Sequence, residues 1–103
     1  MLIVIGRAAC APENRDELIE VMRWMQTESR QEPGCMGYGF HESVEQPNEF
    51  VAVELWESKE ALQTHFGAPS VAGFGAKVGP LLGRPPEVDI HHVERTTAFP
   101  DLD

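Results

Sequence analysis

The sequence predicts an α+β fold of order βαββαβ, with one four-stranded antiparallel sheet and helices packed on one of its faces. Three observations carry this expectation. Met1-Leu-Ile-Val-Ile5 and Phe50-Val-Ala-Val-Glu-Leu-Trp56 are nearly unbroken apolar runs rich in β-branched residues, the pattern of strands covered on both faces. The chain between them repeats apolar residues at helical spacing. Pro33-Gly34 and Pro85-Pro86 punctuate the chain where elements should end.

Taken in order, Met1–Ile5 reads as a central strand, with Pro12 ending that segment. Asn14-x-x-Glu17 is then a helix start, the Asn capping and the Glu reaching back. Leu18, Val21, Met22 and Met25 form the buried face of that helix, and Glu17, Glu20, Arg23 and Gln26 lie elsewhere around it. Pro33-Gly34 stops it. From Cys35 to Val44, Met36, Tyr38 and Phe40 alternate with Gly37, Gly39 and His41, which is strand behaviour with a thin second face. Glu45-Gln-Pro-Asn48 turns the chain into Phe50–Trp56 as a hairpin.

Ser58 is a good cap for a helix over Lys59–Phe66, and Gly67-Ala-Pro69 separates it from a second helical piece starting at about Ser70. That piece puts Val71, Phe74 and Val78 on one face. Gly73, Gly75 and Gly79 weaken it by roughly 1 kcal/mol each relative to alanine, so it is expected to move like a lid. Glu87–Arg95 closes the set as a strand, with Val88 and Ile90 on one face and Asp89, His91 and Val93 on the other. Residues 1–95 form one domain and 96–103 an acidic tail. The order is the split-βαβ, ferredoxin-like arrangement, in which the first and third strands are central.

Both central strands are apolar front and back, whereas helices cover only one face of such a sheet. A second copy of the chain is the simplest cover for the other face, so a homodimer through the sheet face is expected. The 17 acidic against 8 basic side chains, a formal net charge of −9, repel phosphate backbones and anionic membranes, so neither nucleic acid nor membrane is an expected partner. No run approaches the roughly 20 apolar residues a bilayer span needs, and Met1–Ile5 lacks the features of a signal peptide, so a cytoplasmic location is expected. Cys10 and Cys35 show no metal or redox spacing and read as reduced thiols.

Four histidines, His41, His65, His91 and His92, form no H-x-x-x-H or H-E-x-x-H pair, and the adjacent His91 and His92 point to opposite faces of a strand. No metal site is expected. There is no nucleophile elbow, phosphate-cradling loop or dinucleotide fingerprint, so no flavin, nicotinamide or other cofactor is expected either. What remains is a group at one end of the helix–sheet space: Trp56 closing a strand, Tyr38 on the adjacent strand and His65 ending the short helix. A histidine in an apolar pocket can take a proton from an acidic phenol. The plainer reading has His65 interacting with the C-terminus of its helix and Trp56 filling the core.

The stretch Glu54-Leu-Trp-Glu-Ser-Lys-Glu-Ala-Leu-Gln-Thr-His65 resembles the signature E-x-W-x-S-x-x-A-L-x-x-H of the antibiotic biosynthesis monooxygenase family, and Glu32-Pro-Gly-Cys35 followed by Tyr38 resembles its other recurring motif. The resemblance implies a dimeric ferredoxin-like fold and, for some members, oxidation of phenolic or quinol substrates to quinones by dioxygen without metal or flavin. It implies motif roles for Trp56 and His65 and a pocket wall at Tyr38. A haem-degrading branch has an Asn on the first strand and a His in the second helical piece, where this chain has Gly6 and Gly75, which disfavours haem cleavage. A polyketide oxygenase of the family has an Asn four residues before the Trp, where Ala52 stands here, which argues against the same substrate. The expected function is thus cofactor-independent monooxygenation of a small aromatic phenol or quinol, with His65 as proton acceptor. The alternatives are isomerisation of a small carbonyl metabolite and non-catalytic ligand binding.

Overall fold

The computed structural model describes residues 1–103. Strand β1 (Leu2–Ala9) leads through a 3-10 turn (Pro12–Asn14) into helix α1 (Arg15–Arg30). Strands β2 (Cys35–Glu42) and β3 (Glu49–Trp56) follow, then helices α2 (Lys59–Phe66) and α3 (Pro69–Val78), a second 3-10 turn (Gly79–Leu81) and strand β4 (Glu87–His92). The strands make one antiparallel sheet of order β2-β3-β1-β4, with β1 and β3 central as the apolar runs require. This is the α+β, ferredoxin-like layout, its second helix split at Gly67-Ala68.

Strand parity divides the central residues between two faces. Leu2 and Val4 on β1, and Phe50, Ala52, Glu54 and Trp56 on β3, are buried under the helices. Ile3, Ile5, Val51, Val53 and Leu55 lie half-buried on the far face. Helix α1 buries Leu18, Met22, Met25 and Ser29, a stripe repeating every three to four residues that faces the sheet. The interior has two apolar clusters. Leu2, Val4, Met25, Tyr38, Trp56 and Leu62 form one, and Cys10, Leu18, Met22, Phe50, Val78 and Leu81 the other.

Three local expectations are corrected. Asn14 makes no side-chain cap for α1, because its Nδ2 donates to the Leu81 carbonyl at 3.2 Å and so ties the helix start to the chain leaving α3. Met36 does not share a face with Tyr38 and Phe40. A register shift between Cys35 and Gly37 breaks the period of two, leaving Met36 exposed and turning Cys35 toward the first cluster. Strand β4 stops at His92 rather than Arg95, where its pairing with β1 ends at Leu2. No helix is long and apolar enough to cross a membrane.

The α1–β2 turn depends on Gly34, which has φ of 83° and accepts a 2.8 Å hydrogen bond from the Glu57 amide. A Cβ there would lie 2.5 Å from the Ala61 Cβ. Backbone strain and overpacking together predict that Gly34→Ala costs about 2 to 4 kcal/mol, read as a lower denaturation midpoint.

At the other end of the sheet, Arg15 donates to both Glu42 carboxylate oxygens at 2.9 and 2.7 Å, and the Asn48 amide donates at 3.0 Å. These bonds hold the Glu42 carboxyl down at about 2 from its ordinary 4.5. A depressed folded-state value means that the tie stabilises the fold above about 4.5 and is lost as pH falls through about 2. A carboxyl NMR titration should find that midpoint, and Arg15→Ala should move it up toward 4.5.

Candidate active site

The site begins with two small residues. Gly6 of β1 pairs directly with Ala52 of β3, and even a Cβ on Gly6 would only touch that of Ala52, at 3.5 Å. Above this low floor lies a cavity of about 140 Å³ between the sheet and helices α1 and α3, walled by Leu18, Met22, Phe40, Phe50, Phe74 and Val78. An apolar cavity of about 150 Å³ holds one benzene ring, so this one matches a single aromatic ring. Gly6 and Ala52, the two places where the resemblance places asparagine in other branches, are the positions that open it.

Helix α3, whose glycines predict mobility, forms the roof. Its Phe74 stacks on Phe40 with centroids 5.6 Å apart, and its Lys77 ammonium lies 4.2 Å above the Trp24 ring. Both contacts tie the roof to neighbouring elements.

The polar part of the floor is a cross-strand pair, Tyr38 on β2 opposite Glu54 on β3, and both side chains line the cavity. Strand periodicity puts Trp56, two residues on, on the same face as Glu54. The Trp56 indole N–H donates to Glu54 Oε1 at 3.0 Å. Behind this carboxylate stands His65, its Nε2 3.7 Å from Glu54 Oε1 and its Nδ1 2.9 Å from Glu32 Oε2. The imidazole is held between rings, 4.5 Å from the Trp56 centroid and 5.7 Å from that of Tyr38.

The structure therefore brings Tyr38, Trp56 and His65 together, but gives them different positions. Tyr38 faces the cavity, whereas Trp56 and His65, 0% and 2% exposed, are packed behind Glu54 and do not line it. His65 bonds the Glu32 carboxylate rather than the carbonyls ending its own helix. Trp56 is core and hydrogen-bond donor at once.

Because β3 reads as an almost unbroken apolar strand, apolar patterning does not single out Glu54 as a cavity group. Its signal was present: an acid at an even position among Phe50, Ala52 and Trp56 must face the covered side. Burial pushes the Glu54 carboxyl up from its ordinary value, the Trp56 N–H and the neighbouring His65 pull it down, and the Glu32 charge pushes it up again. Burial, with the Glu54 charge second, also pushes the Tyr38 phenol well above its usual range. Burial thus raises the proton affinity of both the Tyr38 phenol and the Glu54 carboxyl, the titratable pair on the cavity floor. No three His, Cys, Asp or Glu side chains are gathered as a metal site.

Comparison with known proteins gives the family and the shared fold. The sequence model of the family Antibiotic biosynthesis monooxygenase matches residues 1–77. The chain belongs to that family. Rv0793 of Mycobacterium tuberculosis, which bears the name putative monooxygenase, is 37% identical over 87 residues, covering 84% of this chain and 85% of that protein. The solved structure of Rv0793 superposes with a TM-score of 0.86, covering 94% of this chain and 98% of that one. An uncharacterised Synechocystis protein, sll1783, is 33% identical over 95 residues, which are 92% of this chain but 65% of that protein's length. A crystal structure from Deinococcus radiodurans, 23% identical, shares the fold with a TM-score of 0.91 over 95% of this chain and 97% of its own.

Proposed function

We propose that this member of the antibiotic biosynthesis monooxygenase family is a monooxygenase that oxidises a single-ring phenol or quinol with dioxygen and without a bound cofactor. The observation that carries the proposal is a carboxyl group of raised proton affinity, Glu54, on the floor of a largely apolar cavity sized for one ring. The family and the name of the Mycobacterium relative support oxygen chemistry. The cavity volume supports a one-ring substrate over a three-ring one.

The substrate hydroxyl lies against Glu54, which takes its proton, while the Tyr38 side chain walls the cavity beside it. The anion passes one electron to dioxygen, and the resulting radical and superoxide join at a ring carbon to form a peroxide. The proton on that carbon passes to the departing oxygen as the O–O bond breaks. One oxygen stays as a quinone carbonyl, the other leaves as water with the proton returned by Glu54, and the ring supplies all the electrons. The protein contributes orientation, a dry cavity and the proton acceptor. In this reading His65 acts on Glu54, not on the substrate.

The same proposal has the chain working as a homodimer in the cytoplasm. The half-buried Ile3, Ile5, Val51, Val53 and Leu55 on the far face suit a two-fold partner, and the two free thiols suit a reducing compartment. Sedimentation should give twice the mass of one chain, and Val53→Glu should halve it.

Oxygen uptake by purified, metal-free protein against one-ring and three-ring phenols tests the activity. One oxygen consumed per quinone, with one labelled atom retained from ¹⁸O₂, is the expected result for one-ring substrates. Ala52→Leu, which fills the floor, should raise KM at least about tenfold with little change in stability. Product formed without oxygen uptake would assign the site to isomerisation instead.

A further inference from the structure

We propose that Glu54, His65 and Glu32 form a proton relay that connects the floor of the cavity to solvent, with Glu32 as its outlet. The proposal rests on the reading of Glu54 as the proton acceptor and adds to it a route and an exit.

Glu54 is 7% exposed and lines the cavity. Its Oε1 is taken by the Trp56 N–H, with His65 Nε2 next to it, which leaves the other oxygen for the substrate. A ring seated on the floor would cover the carboxylate on that side. A base covered in this way exchanges its proton only through a neighbour that can both accept and donate. His65 is such a neighbour, because imidazole takes a proton on one nitrogen and releases one from the other.

The two nitrogens face two carboxylates. Nδ1 lies 2.9 Å from Glu32 Oε2, within hydrogen-bond reach, and Nε2 lies 3.7 Å from Glu54 Oε1, a gap that must close for transfer. The ring itself is 3% exposed at its side chain, but that of Glu32, in the turn between α1 and β2, is 19% exposed and meets solvent. The three groups thus run from cavity to interior to surface. The other groups around the imidazole are Trp56, Tyr38 and Phe66, none of which carries a charge at ordinary pH. Each imidazole nitrogen thus faces one carboxylate, and these two contacts are the two ends of the relay.

The step balances without any co-reactant. A phenol in the cavity loses its proton to Glu54 and Glu54 passes a proton to Nε2. The Nδ1 proton moves to Glu32 and from there to water. In the oxygen reaction the same path runs backwards to supply the proton that leaves as water.

The test is anaerobic and separate from the oxygen chemistry. 4-Nitrophenol, which changes colour on ionisation, is mixed rapidly with the protein in weak buffer containing a pH-indicator dye. Wild-type protein should ionise the phenol and release the proton to solvent at the same rate. Glu32→Gln cannot carry the proton onward, so its release should lag ionisation at least tenfold, and His65→Ala should lag similarly. Glu32→Asp should retain fast release. Formate should restore fast release to Glu32→Ala, a response that a purely structural role for Glu32 does not produce. Release in step with ionisation in Glu32→Gln overturns the relay and leaves Glu54 as the acceptor. Wild-type protein that fails to ionise the bound phenol overturns both.

Discussion

Glu54→Gln lowers the rate of quinone formation by about 10² to 10⁴-fold, the usual contribution of a positioned proton acceptor, and leaves the fold intact. The amide is the same size, and its oxygen still accepts from the Trp56 N–H that holds Glu54 at 3.0 Å. It cannot take a proton from a phenol. Binding should change little, so the loss should fall on kcat more than on KM. The same substitution separates catalysis from stability. Because burial raises the Glu54 carboxyl above its ordinary 4.5, the folded chain holds that proton more tightly than the unfolded chain. Its charging therefore destabilises the fold progressively as pH rises from about 4.5 through the raised value. Glu54→Gln carries no such cost, so it should equal wild type in stability at acid pH and exceed it at neutral pH. Activity should move the other way, rising in wild type as Glu54 ionises. Chemical denaturation and initial rates across the same pH series check both.

Trp56→Ala should cost about 3 to 5 kcal/mol, the range for removing a buried aromatic side chain. Trp56 is fully buried among Leu2, Val4, Met25, Tyr38 and Leu62, and every strand and helix contributing to that cluster loses contact with it. For a domain of this length the melting midpoint should fall by roughly 15 °C or more. Trp56→Phe separates packing from polarity. Phenylalanine keeps most of the ring but removes the donor to Glu54, leaving a buried carboxylate with one partner fewer. Its acid limb of activity should move to higher pH, with only part of the stability loss seen for alanine. An unchanged pH profile in Trp56→Phe would mean that the indole N–H does not tune Glu54.

The parts of this architecture legible in the sequence are those set by local rules. The apolar runs place β1 and β3 in the centre, and Ser58 does cap α2, its Oγ accepting from the Ala61 amide at 3.1 Å. The boundaries of α2 are those the pattern predicts, Lys59–Phe66. Where distant chain segments decide the outcome, local rules mislead. Asn14 has the chemistry of a cap but is claimed by Leu81, 67 residues away. The bulge before Gly37 reverses the parity of Met36, which no alternation of residue types announces.

The site follows the same division. Tyr38, Trp56 and His65 are legible as a group, because strand ends and a helix end meet where the fold brings them together. Their ranking by access to the cavity was not legible, since it depends on which side chains stand in front. Glu54 stands in front of His65, and Glu32 reaches it from a turn that reads only as a helix stop. A buried acid in an apolar strand is the clearest sign of function in this chain, because a charge there costs stability that only a use for it would retain.

The most direct test of Glu54 as the group that takes the substrate's proton is the equilibrium absorption spectrum of 4-nitrophenol bound in the cavity at neutral pH. Wild-type protein should show the phenolate band for the bound ligand, and Glu54→Gln should bind the same ligand with the spectrum of the neutral phenol. Equal phenolate fractions in the two proteins would contradict the account.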